Sequence, residues 1–136
     1  MQEITILNRV LRWTRDGLEY EADPRHSEIL ISELGLSSSS PVVTPGVKDA
    51  QGCTDTPLSP SEATRFCALV ARANYLAMDR CDIQFAVKEL SRRMSAPTDS
   101  DWCALKRLGR YLVGKPRAVC HFKWQSNVSA VHVYSD

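Results

Sequence analysis

Between Ser59 and Gly114 the sequence signals a helix three times over, and no other feature narrows the fold so much. Ser59-Pro60-Ser61-Glu62 has the form of a capping box. The serine hydroxyl can take the N–H three residues on, the proline suits the first helical position, and the glutamate can reach back. Phe66, Leu69, Val70, Ala73 and Leu76 then recur at the spacing of one helix face, and this run should end near Asp79. A second run starts near Asp82, sets Ile83, Ala86, Val87, Leu90 and Met94 on one face, and stops at Pro97. Thr98 and Asp101 form another capping box, Trp102, Leu105, Leu108 and Leu112 make a third stripe, and Gly114 closes it. Helices that are apolar along one stripe must bury it against other elements.

The flanks read differently. Residues 3–13 are rich in strand formers, Asp16-Gly17 is a pair that tight hairpins favour, and Leu18 to Ala22 alternates, so a β-hairpin is expected. Asp23 as N-cap and Pro24 at the first turn start a short helix with Leu30, Ile31 and Leu34 on its apolar face, ended at Gly35. Residues 37–60, with four consecutive serines and several prolines and glycines, read as a linker or a loop hugging the surface. The loop is long for a connection inside one domain, so a boundary is placed here. After the helices, Ala118–Trp124 and Ser129–Tyr134 read as two strands, and the chain stops at Asp136 directly behind a strand pattern, as a truncated domain would. The fold class is α+β: hairpin and helix, long loop, three amphipathic helices, then two strands of an unfinished sheet.

Composition supports a modest core: of 136 residues, 43% are hydrophobic and 24% charged. No apolar run approaches the ~18 residues of a membrane span, and the N-terminus lacks the pattern of a secretory signal. An intracellular protein without membrane contact is expected, with cytoplasm and nucleus both open. Five cysteines, an odd number with no close pair, fit free thiols better than a disulfide framework or a zinc site. His26, His121 and His132 are scattered, and no glycine-rich phosphate loop occurs.

The net charge of +1 hides an asymmetry. Residues 1–60 balance to −4 and residues 61–125 to +6, which points to an anionic partner for the second part. On the third helix Lys106 and Arg110 share a face, Arg107 sits one position round, and Lys115 follows the helix end. On the second, Lys88 and Arg92 pair likewise, opposite the apolar stripe. Cations so placed suit phosphate backbones read without regard to sequence, although a solvated amphipathic helix would look the same. Trp102 falls on the apolar stripe and is expected in the core, while Tyr111 is open between a core position and a base-stacking platform.

Several stretches together carry a family resemblance. They are Asn74-Tyr75-Leu76, Arg80-Cys81-Asp82-Ile83, Leu90-Ser91-Arg92, Met94-Ser95-Ala96-Pro97, Trp102 with Leu105-Lys106-Arg107 and Arg110-Tyr111-Leu112, and Tyr134-Ser135-Asp136. In order and spacing they resemble the Pol polyprotein of Ty1/copia retrotransposons, where the end of the reverse transcriptase runs into RNase H. The match is specific over 61–136 and looser over 1–46. Cys81 stands where the family usually has proline, and Ala71-Arg72 replaces a more usual Gly-Lys.

The resemblance implies a division into the end of the polymerase (1–36), a linker (37–60), thumb or connection helices (61–117) and the first strands of RNase H (118–136). It implies that Lys88, Arg92, Lys106, Arg107, Arg110 and Lys115 lie near an RNA–DNA template-primer, the main partner beside the rest of the polyprotein. Asp136 would be the first of the RNase H carboxylates that hold two Mg²⁺ ions roughly 4 Å apart. The remaining acids would lie downstream, and the Tyr-x-Asp-Asp turn of the polymerase is absent, since no Asp-Asp pair occurs. Alone, the chain is expected to need no cofactor and catalyse nothing, whereas its parent would be an RNA-directed DNA polymerase with RNase H, using Mg²⁺. Two other readings stand beside this one: a free-standing or domesticated nucleic-acid-binding module, and a relic without function.

Overall fold

The computed structural model describes residues 2–48, 53–126 and 129–135. Its order is β1 (Gln2–Ile6), β2 (Arg9–Trp13), β3 (Gly17–Glu21), α1 (Arg25–Glu33), α2 (Pro60–Ala77), α3 (Gln84–Ser91), α4 (Asp99–Gly114) and β4 (Val119–Lys123). The fold is α+β, as its sequence pattern indicates.

Helices α2 and α4 begin where their caps place them. The Glu62 N–H donates to the Ser59 hydroxyl at 3.4 Å, and the Ser59 N–H donates to the Glu62 carboxylate at 3.1 Å. The Thr98 N–H donates to Asp101 at 2.9 Å in the same manner. Helix α1 starts one residue later than expected, after Pro24, yet the Asp23 carboxylate still accepts the Arg25 N–H at 3.0 Å. Gly35 takes a φ of 67°, the left-handed turn that stops α1.

One core joins these elements. Leu30, Leu34 and Leu36 pack with Phe66, Leu69, Val70 and Leu76 of α2, Val87 and Leu90 of α3, and Leu105, Leu108 and Leu112 of α4. Burying each such side chain stabilises the fold by about 1.5–3 kcal/mol. Residues on both sides of the serine-rich loop thus share a single interior. The described residues of the loop form a strap. Leu36 lies over Gly109, the Arg110 guanidinium donates to the Ser40 carbonyl at 2.8 Å, and Arg107 donates to the Thr44 hydroxyl at 2.8 Å. Farther on, the Asp99 and Ser100 N–H groups donate to the Thr56 and Thr54 carbonyls, and the Leu58 N–H to the Pro97 carbonyl.

That second contact overturns the reading of all five cysteines as free thiols. Running the loop beside the start of α4 brings Cys53 to Cys103, and the two form a disulfide across 50 residues. A separation of that size offers no spacing motif. Cys67, Cys81 and Cys120 are free.

The sheet also differs from expectation. Instead of one hairpin there is a three-stranded meander, because Leu7 and Asn8 take φ values of 50° and 61° and fold residues 2–13 back on themselves. Two left-handed residues in succession make the tight turn that suits twisted strands. Leucine is a poor marker for it. Gly17 begins β3 rather than serving as a left-handed turn residue. A Cβ there would lie 2.1 Å from the Phe122 carbonyl oxygen, so glycine is what lets β4 approach. Strand β4 pairs antiparallel with β3, giving the order β1-β2-β3-β4. The first expected C-terminal strand is therefore present, but it completes the N-terminal sheet. The second, Ser129–Tyr134, is exposed and joins no ladder among the described residues.

Each sheet face has its own chemistry. Ile4, Leu11, Tyr20 and Cys120 stand opposite one another on one face, in the row next to Trp13, Leu18 and Phe122. The other face carries a charge ladder: Arg12 meets Glu3 at 2.6 Å and Glu21 at 3.0 Å, and Arg117 closes on Glu21 from beyond α4.

Candidate nucleic-acid interface

The six cations singled out from the sequence fall into two groups. Lys88 on α3, Lys106 on α4 and Lys115 at the end of α4 are exposed. Among the described residues no side-chain hydrogen bond or ion pair engages any of these three ammonium groups. Arg92 is exposed and pairs with Glu89 at 3.2 Å one turn back, a contact that surrounding water weakens. Arg107 and Arg110 are only half exposed and are occupied in pinning the loop. The expected face of α4 is thus divided between a lysine open to ligands and two arginines that already hold structure.

Both aromatic candidates belong to the fold. Trp102 is half-buried, 6.4 Å from the Phe66 ring and covered by the Arg65 guanidinium at 5.6 Å. Tyr111 is buried, and its hydroxyl donates to Asp82 at 2.9 Å.

A second basic surface escaped the sequence pattern. Arg15, His121, Lys123 and Trp124, with Asp16, line an open cleft of ≈ 530 Å³ at one end of the sheet. The indole is held in place, its N–H donating to the Thr14 carbonyl at 3.3 Å while the Trp124 backbone N–H donates to the Asp16 carbonyl at 3.0 Å. Pairing of β3 with β4 creates this cluster from residues over a hundred positions apart, so no local motif announces it.

The sheet is tied to the helices by two polar clusters. Asp79, at the end of α2, accepts from Arg9 at 2.7 Å and from the Tyr20 hydroxyl. Nearby, the Arg80 side chain is only 2% exposed. It makes a two-pronged contact with Asp82 at 2.7 and 2.9 Å and donates to the Lys115 carbonyl at 3.0 Å. Burial works to raise the Asp82 carboxyl, but the Arg80 and Tyr111 bonds outweigh it and hold the group below its usual range.

Burial, and then the hydrogen bond to Asp79, push the Tyr20 phenol up to about 12. Tyr111 is raised as well, first by burial and then by Asp82. A phenol whose folded value lies above the unfolded 10.0 contributes stability in full below pH 10. That contribution is lost as pH rises through about 12. Phenolate absorbance in the folded protein should therefore show Tyr20 and Tyr111 ionising late, together with unfolding. Ionisation of Tyr20 near pH 10 in folded protein would contradict the Tyr20–Asp79 contact.

Among the described residues no group of three or more His, Cys, Asp or Glu side chains is placed to hold a metal ion. Asp136, expected as a Mg²⁺ ligand, lies outside the described residues. Among the described residues no helix is long and apolar enough to cross a membrane.

Comparison with known proteins shows what class of chain carries these features. Over 112 residues the chain is 33% identical to the retrovirus-related Pol polyprotein from transposon RE2 of Arabidopsis thaliana, a match covering 82% of this chain and 8% of the relative. It is also 33% identical over 107 residues to the corresponding polyprotein from transposon RE1, covering 79% of this chain and 7% of that one. An uncharacterized mitochondrial protein of the same plant is 30% identical over 90 residues, which are 66% of this chain and 37% of the relative. No protein-family model and no solved structure matches. The chain is a homologue of a short segment of retrotransposon Pol polyproteins and spans under a tenth of their length.

Proposed function

We propose that the chain is a non-catalytic segment of a copia-type reverse transcriptase and RNase H, and that it positions the RNA–DNA template-primer between the parent's two active sites. In this reading residues 1–36 close the polymerase part, the 37–60 loop is a linker strapped to the helices, and 61–117 are thumb or connection helices. Residues 118–136 lead into RNase H, with Asp136 the first of its carboxylates. The Mg²⁺ belongs to the parent's active sites, and polymerase and RNase H activity are properties of the parent alone. The observation that carries the reading is the set of uncommitted lysines, Lys88, Lys106 and Lys115, on packed helices of a Pol homologue. The sheet adds support. Ile4, Ile6, Trp13 and Phe122 are all exposed on one of its faces. An apolar surface of that kind fits contact with the rest of a polyprotein.

The test is binding of a labelled RNA–DNA hybrid, followed by fluorescence anisotropy across a range of salt. Affinity should fall steeply with salt and show little sequence preference, since each neutralised phosphate adds a slope of roughly −0.9 in log–log form. The Lys88→Glu/Lys106→Glu pair should weaken binding about tenfold or more and flatten the slope by about two. Arg107→Ala and Arg110→Ala should loosen the loop more than they weaken binding. Unchanged affinity and slope in the lysine pair would remove those residues from the interface. Absence of hybrid binding by the folded wild-type chain would overturn the proposal itself.

A further inference from the structure

The junction between sheet and helices brings two free thiols together. Tyr20 and Cys120 are direct cross-strand neighbours on the same face of the sheet. The Tyr20 hydroxyl reaches Asp79, and Cys81 lies two residues beyond Asp79 in the turn between α2 and α3. The same turn is anchored on the other side, where Arg80 donates to the carbonyl of Lys115, a few residues before β4. These contacts bring the α2–α3 turn to β4, and the Cys81 thiol is near enough to act on that of Cys120. Cys81 is exposed and Cys120 half-buried. The third free thiol, Cys67, lies elsewhere and donates to the Met94 carbonyl at 3.3 Å.

We propose that Cys81 and Cys120 are a redox-active pair that closes, under mild oxidation, into a second disulfide fastening the sheet to the helical core. Peroxide is the simplest oxidant. The Cys81 thiolate attacks the O–O bond, gains one oxygen as sulfenic acid, and hydroxide leaves to become water. The Cys120 sulfur then attacks the Cys81 sulfur, the S–S bond forms, the S–O bond breaks, and a second water departs. In total two thiols lose two protons and two electrons, and hydrogen peroxide takes up both to give two waters. Exposure favours Cys81 as the first to react. Burial and the neighbouring Cys81 thiol push the Cys120 thiol up, so it stays protonated longer and leaves the first attack to Cys81.

This pair differs from Cys53–Cys103, which ties the loop to α4 within the helical part. The Cys81–Cys120 bond would join β4 to the α2–α3 turn, where the contacts are otherwise polar. Oxidation should therefore leave the helices unchanged and slow exchange of the β3 and β4 amides by about tenfold or more.

The experiment treats the folded chain with a small excess of hydrogen peroxide, blocks remaining thiols with iodoacetamide, and reads intact mass and peptides. The expected result is a loss of two hydrogens, a fall in free thiols from three to one, and a linked peptide pair containing Cys81 and Cys120. A thiol-specific reductant that spares Cys53–Cys103 should reverse it. Cys81→Ser, at an exposed position where folding is not at stake, should abolish the link and leave Cys67 and Cys120 alkylated. A peptide joining Cys81 to Cys67, or Cys81 driven to sulfinic acid with Cys120 still free, would overturn the pairing. So would a link that forms equally fast in urea, since it would owe nothing to the folded junction.

Discussion

Replacing Arg80 with methionine should lower the free energy of unfolding by roughly 3 kcal/mol, the cost of leaving one half of a buried ion pair without its partner. Methionine fills the space of the arginine stem but brings no donor. Asp82 then loses both bonds from Arg80 while the one from Tyr111 remains, and the Lys115 carbonyl loses the donor that fixes the end of α4. The figure is set at the lower end because the Asp82 side chain is 26% exposed, and water can recover part of the loss. Lysine at position 80 should rescue little, since one ammonium cannot reproduce the fork that reaches Asp82 and Lys115 together. Urea titration followed by circular dichroism measures the change. If Arg80→Met and wild type unfold at the same midpoint, the cluster is not a determinant of stability. If the double variant Arg80→Met/Asp82→Asn is less stable than Arg80→Met, the stranded charge is not the source of the loss.

The Cys103→Ser variant should lose a comparable amount through a different route. Closing a 50-residue loop removes freedom from the unfolded chain. On the chain-entropy account, a loop of that length is worth about 4 kcal/mol. The folded state should change little, because the Thr54, Thr56 and Leu58 backbone bonds still hold the loop against α4. The variant should therefore show a near-native far-ultraviolet spectrum and a much lower urea midpoint. Wild type with reductant should follow the variant. Identical midpoints with and without reductant would mean that the bond does not contribute, whereas loss of native structure in Cys103→Ser would mean the backbone contacts depend on it. Either variant brings a chain of this size close to its limit, since total stability is only about 5–15 kcal/mol.

What the sequence disclosed follows from what is local. The two capping boxes and the stripes of α2 and α4 were legible because caps and helical spacing act within four residues, and Ser59, Thr98 and those stripe residues lie where they point, whereas α3 ends at Ser91, short of Met94 and Pro97. Gly35 belongs with them. The turn at Leu7 and Asn8 was hidden because its left-handed backbone is carried by leucine, a residue the turn does not favour. The role of Gly17 was misread because the demand for a bare Cα comes from Phe122, far along the chain. Cys53 with Cys103, and the Arg15, Lys123 and Trp124 cleft, are likewise products of long-range contact. Among the candidate cations, type and helix position were readable. Burial was not: that Arg107 and Arg110 hold the loop while Lys88 and Lys106 stay open depends on where residues 40–44 come to rest.

The pairing of β3 with β4 also bears on how the chain is made. A ribosome releases the β1-β2-β3 meander first, with the outer edge of β3 bare. Its partner emerges roughly a hundred residues later, a delay of about 5–20 s at ordinary synthesis rates. Throughout that interval an unpaired strand is open to any passing extended segment. Glu19 and Glu21, on the charged face of that strand, give it a repulsive charge against acidic competitors. Arg117 arrives just ahead of β4 and meets Glu21, so the ion pair can set the register before the ladder closes. Order of emergence, more than strand propensity, would then decide which segment completes the sheet.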